Sequence, residues 1–152
     1  MGKLHEGGFL ISKIRQISER IFDKKLKNYG IGLNAAQGRI IFSLWQNDNI
    51  SIRELAQRTA LGKTTLTSML ERLEQSGYIV MKADTMDKRK TLVVLSEKIK
   101  TIESRHKTVS KEMTDLFYKG LTEKEIDDFE NTLKRILSNL VKHEEEINND
   151  VE

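Results

Sequence analysis

Residues 51–96 read SIRELAQRTALGKTTLTSMLERLEQSGYIVMKADTMDKRKTLVVLS, and this stretch contains the signals that decide the expected fold. Ser51 and Glu54 have the spacing of a capping box, which predicts the start of a short helix over residues 51–59. A second helix is predicted after a tight turn, because apolar side chains recur at helical spacing in residues 63–76. Its apolar positions are Leu66, Met69, Leu70 and Leu73.

Two short runs rich in β-branched and aromatic residues follow, at residues 78–81 and 91–95. Such runs predict a β-hairpin, with residues 84–90 as its polar loop. The tip of this loop carries three consecutive cations, Lys88, Arg89 and Lys90. A short helix, a turn, a second helix and a hairpin with a basic tip are the layout of a winged helix-turn-helix, which is the structure predicted for residues 51–96.

Long amphipathic helices are predicted on both sides of this unit. Residues 9–28 and 34–46 carry apolar stripes before it, and further helices begin near Ser96 and Thr122 after it. The last of these starts with a second capping-box spacing, from Thr122 to Glu125. We therefore expect a mainly α fold with a small β-hairpin wing, in which the winged helix-turn-helix is flanked by long dimerisation helices.

The chain is expected to form a single domain, residues 1–152, with parts that differ in role. Residues 33–96 are the winged helix-turn-helix DNA-binding lobe, residues 1–32 and 97–147 a helical dimerisation region, and residues 148–152 an acidic tail. A small lobe cannot bury the stripes of the long helices, so a second copy of the chain is expected to cover them. A monomeric antiparallel packing of three helices is the alternative.

The composition excludes several classes of protein. The 152 residues include no Cys, which excludes disulfides, thiolate catalysis and Cys-ligated zinc. No stretch is apolar for long enough to span a bilayer, and the first residues lack the apolar run of a signal peptide. We therefore expect a cytoplasmic protein without a membrane partner.

The charge and the outer face of the second helix both indicate a polyanionic partner. The net charge is +3, but residues 143–152 hold five acids and no Lys or Arg, which leaves +8 on residues 1–142. Short hydroxylated side chains near a helix N-terminus can approach base edges or phosphates closely. Opposite the apolar stripe, the second helix presents Thr64, Ser68 and Glu71, flanked by Lys63, Thr65, Thr67 and Arg72.

The basic hairpin tip supports the same interpretation. Arg89 can enter a narrow minor groove, while Lys88 and Lys90 can neutralise phosphates. A carboxylate is a poor phosphate contact, so Asp87 is expected to orient Arg89 through an ion pair. Either element alone is typical of an ordinary solvated surface, but their combination favours binding of double-stranded DNA.

With these motifs the chain resembles the MarR-type transcription regulators. The matching segments lie before the motif, in its two helices and in the wing. The wing spacing Asp87-x-Arg89-x-x-x-Val93-x-Leu95-Ser96 is the most specific of them. The other matching segments are Leu33-Asn34 through Leu44, Ser51-Ile52-Arg53-Glu54-Leu55-Ala56, and Thr64-Thr65-Leu66-Thr67 through Leu73-Glu74-Gln75-Ser76-Gly77-Tyr78-Ile79.

The resemblance implies a homodimer whose first and last two helices interlock, with one recognition helix of each subunit in successive major grooves. It also implies that Thr64, Thr65, Thr67 and Ser68 face the groove and that Arg89 is the wing arginine. Many relatives carry Arg where Ser68 stands here. Without that guanidinium, base readout is expected to depend more on hydroxyls, water and DNA shape.

A small effector, often phenolic in this family, is a further expectation from the resemblance. Arg15, Trp45, His106 and Met113 are candidates to line its cleft, although each is also a plausible core or boundary residue. His106 lies in an apolar seam, where a structural histidine with satisfied hydrogen bonds is expected. Contact with a ligand and pH sensing are its alternatives.

The sequence shows no enzyme motif and no converging metal ligands. It lacks a phosphate loop, a nucleophile elbow and an HExxH pattern, and its three His residues lie far apart along the chain. We expect no catalytic residue, no metal site and no cofactor.

Two functions remain. The first is a sequence-specific DNA-binding transcription regulator, expected to be a repressor that acts as a homodimer on a pseudo-palindromic operator and is released by a small molecule. The second is a dimeric winged-helix module for protein interaction without DNA readout. The basic hairpin tip favours the first, because an assembly module would more often have an apolar or mixed-sign tip.

Overall fold

A computed structural model describes residues 2–150 of the chain. Its elements, in order, are α1 (Gly7–Asn28), α2 (Ala35–Gln46), β1 (Ile50–Ser51), α3 (Ile52–Thr59), α4 (Lys63–Gln75), β2 (Ile79–Ala83), β3 (Thr91–Leu95), a 3-10 turn (Glu97–Ile99), α5 (Lys100–Phe117) and α6 (Glu123–Asp150). The mainly helical fold with a small sheet is confirmed.

The wing belongs to a sheet of three antiparallel strands in the order β1-β3-β2. Val93 of the central strand pairs with Ile50 on one side and with Met81 on the other. The sequence predicted only the hairpin of β2 and β3, because a strand of two residues has no periodicity to detect. Through β1, the start of α3 is bonded to the wing.

The start of α3 differs in one detail from the prediction. The Ser51 side chain accepts a hydrogen bond from the backbone N–H of Glu54 at 3.1 Å, as an N-cap should. The Glu54 carboxylate does not complete the capping box. It accepts a bond from Arg58 at 3.1 Å instead, while Ser51 pairs with Leu92 in the sheet. The predicted capping box is therefore only half formed: Ser51 caps the helix, but Glu54 does not bond back to Ser51. The backbone of Ser51 is paired in the sheet instead.

The end of α4 is closed by a Schellman motif. Gly77 has a φ of +84°, a left-handed conformation that favours glycine. The N–H of Tyr78 bonds to the carbonyl of Leu73 at 3.0 Å, and the N–H of Gly77 to the carbonyl of Glu74 at 2.9 Å. The hydroxyl of Ser96 donates to the Gly77 carbonyl, which ties the end of β3 to the end of α4.

The hydrophobic core contains residues from all the helices α1 to α5 and from the sheet. Three of the four predicted apolar positions of α4, Leu66, Leu70 and Leu73, are at 0% exposure, and the fourth, Met69, is half-buried against the same core. Full burial of one Leu side chain is worth about 1.5–3 kcal/mol, so this stripe sets the rotation of α4 about its axis. Other fully buried side chains of the same core are Leu26, Ile40, Ile41, Leu44, Leu55, Val93 and Val109.

The described residues form two compact units, one ending at Met113 and the other starting at Thr114. In the second unit, Thr122 and Glu125 form the full capping box that the sequence predicted, with reciprocal bonds of 3.0 and 3.2 Å. Tyr118 donates to the Glu130 carboxylate at 2.6 Å, and this bond raises the pKa of the Tyr118 phenol to about 12.

Helix α6 continues through Asn148 to Asp150, where the sequence predicted a separate tail over residues 148–152. The last two residues of that tail lie outside the described part of the chain. No helix between residues 2 and 150 is both long enough and apolar enough to cross a membrane.

His106 of α5 is buried in the first unit, with 2% of its surface exposed. Its ring packs edge-on against Phe22 and Trp45, at centroid distances of 5.9 and 5.0 Å. Its Nδ1 lies 3.5 Å from the Ser110 hydroxyl, but its buried Nε2 has no hydrogen-bond partner among residues 2–150. The expectation of a satisfied histidine was wrong for Nε2, because this atom lies beside Gly38, which has no side chain to bond to it, while the ring packs against Phe22 and Trp45. This burial lowers the pKa of His106.

We expect protonation of His106 to destabilise the fold. The unfolded chain binds the proton with a pKa of about 6.5, above that of the folded state, so stability is lost as the pH falls below about 6.5. In chemical denaturation across this range, His106→Leu should lose part of the pH dependence, whereas the exposed control His5→Gln should keep it. An unchanged slope in His106→Leu would contradict the assignment.

Candidate nucleic-acid interface

The outer face of α4 is open to solvent along the side opposite its buried stripe. Thr64, Thr65 and Ser68 are exposed there, with Arg72 further along the helix and Lys63 at its start, while Thr67 is half-buried. Gly62 begins the helix without a side-chain cap, which leaves the first backbone N–H groups free for another acceptor. This surface offers hydroxyl and amide donors at one end of a rigid helix.

The wing is closed by backbone bonds within its loop. The N–H of Asp84 donates to the carbonyl of Lys90, and the N–H of Lys90 to the carbonyl of Asp87, both at 3.0 Å. These bonds form a tight turn over residues 87–90. Lys88, Arg89 and Lys90 are all exposed on it.

The Asp87 carboxylate accepts hydrogen bonds from both the backbone N–H and the guanidinium of Arg89. Its Oδ1 accepts from the backbone N–H and from Nε of Arg89, each at 3.1 Å. The Arg89 guanidinium, which lowers the pKa of the Asp87 carboxyl, remains 91% exposed. The predicted ion pair is present in the structure, and its role in aiming Arg89 at DNA stays a prediction.

A cleft of about 560 Å³ lies between α3, α4 and the wing. From the sequence-predicted set it brings together Lys63 and Thr67 of α4 with Arg89 and Lys90 of the wing. Thr64, Thr65, Ser68, Arg72 and Lys88 do not line the cleft and lie on the exposed surface around it.

The cleft also contains residues that the sequence analysis did not select. Arg53 of α3 lines it together with Ser51 and Ile52 at the start of that helix, and with Thr91 at the start of β3. The only sequence signal for Arg53 was its place two residues after the N-cap, on the polar side of a short amphipathic helix. That signal does not indicate that α3 faces the wing.

The four candidate ligand residues are not brought together as one set. Trp45 and His106 pack against each other in the core. Arg15 instead lines a groove of about 670 Å³ that Trp45, His106 and Met113 do not line. This groove is bordered by Ala36, Arg39, Phe42, Ser43, Gln46, Arg58, Thr59, Ala60 and Leu61.

Ion pairs link the groove to the middle of α1. Arg39 bonds to the Glu19 carboxylate at 2.6 Å, and Arg15 lies 3.5 Å from the same carboxylate. The bond from Arg39 is the main cause of a lowered pKa of Glu19. Phe42 is 53% exposed beside these charges. The groove therefore combines guanidinium groups with an exposed aromatic ring.

No group of three or more acidic or histidine side chains within residues 2–150 is arranged to hold a metal ion. The start of α4 and the wing tip offer hydroxyls, backbone amides and cations, which bind anions and exposed base edges.

The chain is similar to MarR-family proteins. The sequence model of the MarR family matches residues 33–91. The HTH-type transcriptional regulator SarZ of Staphylococcus aureus is 29% identical over 124 residues, which cover 80% of this chain and 82% of SarZ.

Solved structures agree with this relationship. A mutant MarR from E. coli complexed with operator DNA is 28% identical, with a TM-score of 0.77 over 90% of this chain and 99% of MarR. BpsR of Bordetella bronchiseptica, whose DNA binding is regulated by 6-hydroxynicotinic acid, has the same fold, with a TM-score of 0.77, 22% identity, and coverage of 89% of this chain and 97% of BpsR.

Proposed function

We propose that the chain is a MarR-type transcription regulator, a homodimeric repressor that binds a pseudo-palindromic DNA operator and is released by a small aromatic acid. Members of this family are transcriptional regulators and not enzymes. The observation that carries the proposal is the exposed hydroxyl face of α4 beside the basic wing. The E. coli MarR, at 28% identity, binds operator DNA with the same fold.

In this proposal α4 enters the major groove and the wing contacts the adjacent backbone and minor groove. Thr64, Thr65, Thr67 and Ser68 approach base edges through hydroxyls or bridging water. Arg89 enters the minor groove, and the lysines beside it neutralise phosphates. Because Ser68 stands where many relatives have Arg, readout relies more on DNA shape than on bidentate contacts to guanine.

Two exposed apolar surfaces support the homodimer. On α1 the exposed fraction reaches 68% at Phe9, and on α6 it reaches 63% at Leu140. Contiguous apolar surface of this kind is typical of a protein interface. The other exposed apolar residues are Leu10, Ile11, Ile14 and Ile17 on α1, and Ile136, Leu137, Val141 and Ile147 on α6. A two-fold dimer would present two α4 helices to major grooves about one helical turn apart.

The Arg15 groove is the proposed effector site. A carboxylate placed between Arg15 and Arg39 would compete with Glu19 for charge-assisted bonds, and the exposed ring of Phe42 would pack against an aromatic ligand. The groove also contacts Arg58, Thr59, Ala60 and Leu61, at the end of α3 and in the turn before α4. A ligand there would act directly on the segment that positions α4.

Arg89→Ala is expected to weaken DNA binding by about 1–3 kcal/mol, because it removes the minor-groove cation. The measurement is fluorescence anisotropy at fixed salt, with a duplex selected from a random-sequence pool. Lys24→Ala, an exposed cation on α1, is the control and should bind as the unmodified chain does. An affinity unchanged by Arg89→Ala would refute the wing assignment, and a chain that binds no duplex would favour the protein-interaction alternative.

The apolar face of α6 is expected to hold the dimer together. Truncation after Leu121 should give a monomer in sedimentation experiments, since it removes α6 entirely. Leu137→Glu tests the same face without removing a helix, and it should shift the population toward monomer by burying a charge. Asn131→Glu, on the opposite face of α6, should remain dimeric. Intact dimers in both the truncated chain and Leu137→Glu would disprove this interface.

An aromatic carboxylate is expected to release the duplex through the Arg15 groove. The probe is 6-hydroxynicotinic acid, with its uncharged amide as the ligand control. Arg15→Gln should raise the concentration needed for release about tenfold, since a charge-assisted bond is worth about 1.5–3 kcal/mol. Arg20→Gln, on α1 but outside the groove, should respond normally. Equal release by acid and amide would argue against a guanidinium site.

A further inference from the structure

We propose that the cleft between α3, α4 and the wing seats the sugar-phosphate backbone of one DNA strand, with Arg53 as its phosphate contact on α3. This inference rests on the proposed DNA-binding function and adds to it a contact outside the recognition helix and the wing tip. The cleft is lined from three segments that are far apart in sequence: residues 51–56, residues 63–67 and residues 89–91.

The charge of the cleft is the first argument. Four cations line it and no carboxylate does. Arg53, Lys63 and Lys90 have no ion-pair partner among residues 2–150, and only Arg89 is bonded to an acid. Four like charges around one cleft repel each other, so an anion in the cleft would stabilise the arrangement. The cations are: Arg53, Lys63, Arg89 and Lys90.

The chemistry of the rest of the cleft favours a sugar-phosphate backbone over a base edge. Ile52 and Ala56 supply an apolar surface on which a deoxyribose can pack. Ser51 and Thr91 supply hydroxyl groups, which can donate to phosphate oxygens. The cleft contains no Asn or Gln side chain of the kind that reads adenine by paired hydrogen bonds.

The contrast with Arg58 on the same helix supports the role of Arg53. Arg58 is five residues further along α3, where its guanidinium bonds to Glu54 at 3.1 Å and it lines the Arg15 groove. Within residues 2–150, Arg53 has no such bond, and it lines the cleft together with Arg89 and Lys90 of the wing. Of the two arginines of α3, the structure leaves only Arg53 free to bind an external anion at the cleft.

The test compares Arg53→Gln with Lys24→Gln, an exposed cation of α1 that lines neither the cleft nor the Arg15 groove, so that both variants lose one positive charge. Binding is measured by fluorescence anisotropy over a range of salt concentrations, with a random-sequence duplex and with a duplex selected for tight binding. Arg53→Gln should weaken binding about tenfold to both duplexes, which leaves the preference between them unchanged. It should also reduce the slope of log K against log salt by about 1, the effect of one lost phosphate contact.

Lys24→Gln should keep the salt slope of the unmodified chain, and Arg53→Lys should restore most of it, since Lys also neutralises a phosphate. Thermal denaturation of all variants shows whether weaker binding comes from a lost phosphate contact or from an unfolded protein. If Arg53→Gln does not fold, Arg53→Lys is the variant that tests the contact.

The outcomes separate this inference from the function on which it rests. If the unmodified chain binds neither duplex, the proposed function fails. If the chain binds DNA and Arg89→Ala weakens it, but Arg53→Gln leaves the salt slope unchanged, the function stands and the role of Arg53 is overturned. A change in sequence preference with Arg53→Gln would also overturn it, because that result indicates a base contact.

Discussion

The burial of one side of α4 is the constraint on which the candidate interface depends. Leu66, Leu70 and Leu73 are completely buried, and a rotation of the helix that exposed them would cost several times the roughly 1.5–3 kcal/mol of one Leu. The helix therefore has one stable orientation, which places Thr64 and Ser68 toward solvent. A hydroxyl surface at the start of a helix is useful for recognition only if it is held in this way, because a loosely packed helix would spend binding energy on ordering.

The position of the wing follows from bonds between distant segments. The hairpin alone would be marginal in water, but Val93 pairs on one side with β1, which leads directly into α3. On the other side of the motif, Ser96 bonds to the carbonyl of Gly77 at the end of α4. Both helices of the motif are thus attached to the same small sheet, and the basic tip is carried at a defined place beside them. The cleft that contains Arg53 is a consequence of these two attachments.

Local signals in the sequence predicted well wherever a structural feature is decided by neighbours along the chain. The helix pair, the hairpin and the Thr122 capping box belong to this class, as does the Asp87 to Arg89 ion pair, whose members are two residues apart. The failures belong to another class. Strand β1 is too short for a pattern, Ser51 has a second role in the sheet, and the environment of His106 is built by Phe22 and Trp45 from other helices. Each of these depends on contacts that no window of sequence contains.

The sequence by itself determined the order of the helices and of the hairpin, the polar face of α4 and the cations of the wing, because hydrophobic periodicity and turn chemistry act within a few residues. Only the tertiary structure decided which of these groups meet. Residues 53, 63 and 89 line one cleft, whereas Arg15 is placed in a different groove from Trp45 and His106, with which the sequence analysis had grouped it. Core packing and strand pairing decide which side chains meet in a cleft. They bring together positions that are tens of residues apart, and such contacts leave no periodic pattern in the sequence.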